Sequence, residues 1–115
     1  EKHVIRTTGS NSTLKLYLIQ SIDRKLPLPD IALAKGMTMD ALISEAETIV
    51  YSGTKLNIDY WLNEVFDEDQ QEDLHDYFLD SETDDINDAI DEFDGEFDED
   101  EIRLYRLKFL SEVAN

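Results

Sequence analysis

Cysteine is absent from the 115 residues, which excludes a disulfide framework and any thiolate-bound zinc or iron–sulfur site. Histidine is scarce, with only His3 and His75, so neither a zinc site nor a Cys/His nucleophile pair can be assembled. The four glycines are scattered, and no glycine-rich phosphate loop occurs. No run approaches the roughly 18 apolar residues of a membrane span, and no charged-then-apolar signal peptide opens the chain. A cytoplasmic protein with no membrane contact is expected, with no catalytic residue, metal site or cofactor of its own. Cations are also few, ten Lys/Arg against 28 Asp/Glu, a formal net charge of −18.

The hydrophobic fraction of 41% suffices for one domain with one modest core. Its charge is segregated. Residues 1–57 carry seven Lys/Arg and six Asp/Glu, a net of +1, whereas residues 58–115 carry three and twenty-two, a net of −19. A polyanionic second half repels phosphate, but screening over roughly 8 Å at physiological ionic strength leaves a distant neutral face usable. The polar run Thr7 to Ser12 and the opening Glu1 read as the end of a linker in a piece of a longer chain. Residues 1–12 are accordingly expected to be poorly ordered, with 13–115 as a single helical domain.

Apolar spacing predicts an all-α, small multi-helix bundle of about six helices. Ser12 or Thr13 can cap a helix over about Leu14 to Asp23, which Pro27 and Pro29 bring to an end. Pro29 suits the first turn of a short second helix that stops at Gly36. Thr38 is a good N-cap for a third helix carrying Met39, Leu42, Ile43, Ala46, Ile49 and Val50, with Gly53 supplying the left-handed residue beyond it. Tyr60 to Phe66 fits a helical stripe better than the alternative strand. Further helices are expected over roughly 67–80, behind a Thr83 cap to Phe93, and after an Asp98/Glu101 capping box, where Arg103, Arg106 and Lys108 lie away from the acidic start.

Residues 29–51 thus read as a helix-turn-helix unit, with Ala32, Gly36 and Leu42 as its structural positions. The outward face of its second helix offers Asp40, Ser44, Glu45, Glu47 and Thr48, and none of the Arg, Lys, Asn or Gln side chains that read base edges best. Any DNA contact therefore falls to phosphate, with Arg24, Lys25, Lys35, Thr38 and Lys55 as candidates. The acidic helical half, 58–115, reads as a solvated face or as a docking surface for a basic protein partner or another domain of the same chain. Residues 90–101 fit a calcium-loop frame at their glycine and final glutamate, but Ile90 stands at the first ligand place. Glu72-x-x-His75 is one half of a di-iron motif that needs two, so His75 is expected at the surface.

The strings Ile22-Asp23-Arg24-Lys25-Leu26-Pro27-Leu28-Pro29-Asp30-Ile31-Ala32-Leu33-Ala34-Lys35-Gly36 and Tyr51-Ser52-Gly53-Thr54-Lys55-Leu56-Asn57-Ile58-Asp59-Tyr60, with the ending Glu101-Ile102-Arg103-Leu104-Tyr105-Arg106-Leu107-Lys108-Phe109-Leu110, carry a resemblance over roughly residues 13–115. The chain resembles the C-terminal helix-turn-helix extension of RecQ-type ATP-dependent DNA helicases from bacteria of the Bacteroides group. That resemblance implies a parent enzyme that unwinds DNA 3′ to 5′ in recombination and repair, using ATP and magnesium. It carries over no catalytic residue, because the helicase phosphate loop, metal box and cysteine zinc site are missing. The expected role is a non-catalytic accessory domain that assists DNA or partner engagement. A packing or protein-interaction domain that never touches DNA is the alternative; a free-standing transcription regulator fits the acidic face poorly.

Overall fold

The computed structural model describes residues 3–81 and 85–113. Among them the chain forms α1 (His3–Asp23), α2 (Leu28–Ala34), α3 (Met39–Tyr51), α4 (Asp59–Val65), α5 (Glu68–Asp80), α6 (Ile86–Glu92) and α7 (Glu99–Val113), with no strand. The all-α bundle holds, with seven helices among the described residues where about six were expected. Tyr60 to Phe66 is α4 with its C-cap, not a strand.

Most helix ends follow from local chemistry. The Thr38 hydroxyl oxygen accepts from the Ala41 amide at 3.1 Å and starts α3. Asp67 with Gln70 closes a capping box on α5, and Asp98 with Glu101 does so on α7 at 2.8 and 2.9 Å. Asp85 caps α6 by accepting from the Asn87 amide; the Thr83 cap expected there lies outside the described residues. Helices α1, α2 and α3 end in the same way. The second residue beyond each helix's C-cap donates back over the last turn, Leu26 to Ser21, Met37 to Ala32 and Thr54 to Ile49, and the residue before it is left-handed. Gly36 and Gly53 fill that place in two of them, but Lys25 fills it in the first, at φ 60°.

One boundary departs from expectation. Helix α1 reaches back to His3 through the polar run, so neither Ser12 nor Thr13 acts as its cap. Low-propensity residues weaken a helix without breaking it, because each residue added to a formed helix gains a backbone bond without a new nucleus.

The core is one connected cluster from Leu18 on α1 to Leu107 on α7, through Ile31, Leu42, Ile43, Ile49, Ile58, Leu62 and Leu74. Aromatic rings fill its acidic end: Phe66 meets Phe97 edge-on at 5.6 Å, and Phe78 stacks on Tyr105 at 6.3 Å. Helix α7 is the hub, packed against α3, α4, α5 and α6. Ile102, Arg103, Leu104 and Tyr105 are consecutive and all buried, so at that level the helix is enclosed on every side. Burying an arginine there requires partners, and these fix how α7 meets α3.

Candidate nucleic-acid interface

Helices α2 and α3, joined by Lys35 to Thr38, have the order and capping of a helix-turn-helix. Ala32 and Leu42 are buried at its centre beside Ile31. Gly36 has φ 65°, and a side chain built there would meet nothing within 4 Å, so the glycine answers the backbone conformation and not a close approach. The Met37 amide, donating to the Ala32 carbonyl at 2.9 Å, turns the chain from α2 into α3.

The outward face of α3 is not the open surface expected. Asp40, Ser44 and Glu47 fall at i, i+4 and i+7 and line up along α3, and Arg103 of α7 lies across all three. Its guanidinium donates to Asp40, to the Ser44 hydroxyl at 2.9 Å and to Glu47 at 3.0 and 3.3 Å. Arg106 adds a bond to Glu47 at 2.8 Å. The Glu47 side chain is 14% exposed, while Asp40 is 72% exposed and marks the rim. Hydrogen bonding to Glu47 outweighs the opposing effect of burial and, with Asp40, holds the Arg103 pKa above the ordinary arginine range. This face of α3 is therefore partly an internal joint. Thr48, Ser44 and Ala41 remain exposed beside it, and the Thr48 hydroxyl donates to the Ser44 carbonyl.

Sequence reasoning placed Arg103 and Arg106 on α7 but missed their partners. A signal was present: an acidic stripe on the near-neutral half and two arginines three apart in the polyanionic half have complementary spacing.

The DNA-contact candidates do not form one patch. Arg24 and Lys25 occupy the exposed α1–α2 turn, and the Lys35 ammonium stands 4.7 Å from the centroid of the Tyr17 ring. Tyr17 also lines a cavity with Arg24, so one ring carries the Lys35 ammonium and borders the cavity that Arg24 shares. Lys55 instead edges a groove with Asn57, Asp59, Lys108 and Glu112. There Lys108 donates to Asp59 at 2.8 Å and to Glu112 at 2.6 Å; burial alone would lower its pKa, but these bonds outweigh it and raise it. The Thr38 hydroxyl oxygen accepts from the Ala41 amide in the α3 cap, and its proton is left to donate to another group.

The remaining motifs resolve structurally. Ile90 lies within α6, and Glu101, the last place of the calcium frame, bonds the Asp98 amide of the α7 cap. Among the described residues no group of three His, Asp or Glu side chains is placed to hold a metal. His75 is half-buried, not at the surface, and its ring meets Phe109 edge-on at 6.0 Å.

Residues 12–62 match the family described as the RecQ-1-like, helix-turn-helix domain. The match runs from α1 through most of α4, so this stretch is similar to a RecQ-type helix-turn-helix, and the acidic α5, α6 and α7 lie beyond it. No curated protein matches the chain.

Proposed function

We propose that this chain is a non-catalytic accessory domain of a RecQ-like ATP-dependent DNA helicase, and that it meets DNA weakly through the α1–α2 edge and not through the outward face of α3. The observation that carries this reading is that Tyr17 has the Lys35 ammonium over its ring and shares a cavity with Arg24, within a stretch similar to a RecQ-type helix-turn-helix, while Arg103 occupies the acidic stripe of α3. ATP and magnesium belong to the parent enzyme. The residues here do not fit them, since the sequence has no phosphate loop and, among the described residues, no carboxylate cluster is placed for a cation.

Contact of this kind is electrostatic. With few cations on the near-neutral half and −19 on the other, affinity belongs at the weak end of roughly 10⁻⁴–10⁻⁶ M, the ordinary range of non-specific binding. The test is a titration of single-stranded, duplex and forked DNA at two salt concentrations, with Arg24→Glu/Lys35→Glu as the variant. Binding that falls with salt and is lost in the variant supports the reading; tight, sequence-selective binding that survives raised salt contradicts it.

The second reading is a packing or protein-interaction domain. The Arg103 joint favours it, because that joint makes the helix pair a structural partner of α7. Absence of binding to every DNA form, with an intact fold, selects it.

A further inference from the structure

At the C-terminal end of α1, Tyr17, Gln20, Ser21 and Arg24 fall at i, i+3, i+4 and i+7 on one face of the helix. With Asp23 they line an open cavity of about 330 Å³. Ser21 is 1% exposed, and among the described residues its hydroxyl has no hydrogen-bond partner. A buried helical serine commonly donates to the carbonyl four residues back, and one that makes no bond carries an unmet cost that a bound polar group would relieve. The Tyr17 ring beside it is held in place, since its hydroxyl donates to the Ile31 carbonyl at 3.1 Å. A fixed aromatic ring with cations alongside is the arrangement on which bases of single-stranded nucleic acid stack, their phosphates taken by the cations.

We propose that this cavity holds one unpaired nucleotide of a DNA strand: the base lies against Tyr17, an acceptor on its edge receives the Ser21 hydroxyl, and Arg24 and Lys35 neutralise its phosphate. The cavity volume is at the small end of the range for ligand sites, enough for a base but not for a duplex. Lys35 already covers the ring and exchanges it for the phosphate. Asp23, the one acid on the rim, repels phosphate from its own side and can accept from a base N–H; the Gln20 amide can give or take a bond. The inference rests on the reading of a DNA-engaging accessory domain and narrows it to an unpaired strand.

The test is a nuclear magnetic resonance titration of the isotope-labelled chain with a short oligothymidylate and, separately, with a blunt duplex. The oligothymidylate is expected to move the amide signals of Gln20, Ser21 and Arg24, and Tyr17→Leu to weaken it about ten-fold, the loss expected for one base–aromatic stack. Tyr17→Leu also removes a tertiary bond, so Ser21→Ala is the second variant. It deletes only the unpartnered hydroxyl, leaves the fold intact, and should weaken the oligothymidylate while leaving duplex affinity unchanged. Unchanged oligothymidylate affinity in both variants, or signals that move only elsewhere, overturns the proposal; duplex binding that still depends on Arg24 and Lys35 then leaves the accessory-domain reading standing. Failure of every DNA to bind overturns both.

Discussion

Replacing Arg103 by Met removes the guanidinium that ties α7 to α3 and keeps most of the buried volume. The cost follows from what each partner is left with. Asp40, 72% exposed, returns to water, and its share is about 0–1 kcal/mol, the ordinary value of an exposed pair. Ser44 is exposed and exchanges its bond for one to solvent. Glu47 is 14% exposed and loses two of the three bonds it accepts, keeping only Arg106. Stranding a fully buried charge costs about 3–5 kcal/mol, and with one cation retained about half of that applies. The total is about 1.5–3.5 kcal/mol, a large part of the 5–15 kcal/mol typical of a domain. Urea unfolding should show a lower midpoint at an unchanged slope. A double-mutant cycle with Glu47→Gln should give a coupling of about 1–3 kcal/mol, and one with Asp40→Asn less than about 1 kcal/mol. Equal couplings for Asp40 and Glu47, or a loss below about 0.5 kcal/mol for the single variant, would refute the reasoning, whose weight rests on how deeply Glu47 is buried.

Lys25 holds a left-handed conformation that glycine adopts without a side-chain penalty, so Lys25→Gly should raise stability by about 1 kcal/mol in the same urea assay. Gly36→Ala should lose about 1 kcal/mol and no more, because the conformation is strained but the space around it is open. Burial pushes the Tyr60 phenol, which donates to the Leu26 carbonyl, from 10.0 up to about 12. A folded pKa raised above the unfolded one gives stability that is complete below pH 10 and lost as pH rises through about 12, so alkaline unfolding followed by phenolate absorbance should show that loss, and Tyr60→Phe should blunt it.

What was legible in the sequence was local. The Thr38 cap, the Asp98/Glu101 box, the helix stop at Gly36 and the left-handed Gly53 each depend on residues within a few positions of one another, and all appear in the structure. So did the stripe of α3, which repeats along a single helix. The Arg103 joint was not legible in that way, because Glu47 and Asp40 stand 56 and 63 residues away and only the packing of α7 on α3 brings them together. For the same reason His75 was expected at the surface, although Phe109 covers its ring. The left-handed Lys25 escaped notice because the residue type argues against it, and the Schellman bonds of α1 impose it regardless. Of the five candidate contacts, charge alone grouped Lys55 with the others; the fold sends it to the α4–α7 groove.

The proposed DNA contact lies on the α1–α2 edge and not on α3. Its most direct test measures forked-DNA affinity across a salt series for the unaltered chain, for Arg24→Glu/Lys35→Glu, and for Thr48→Glu, which places a new charge on the exposed side of α3 without touching Arg103. Loss of two phosphate contacts should lower the slope of log affinity against log salt by about two in the edge variant, and Thr48→Glu should leave both affinity and slope unchanged. The contrary pattern, with binding lost in Thr48→Glu and kept in the edge variant, would put DNA on α3 and contradict the account.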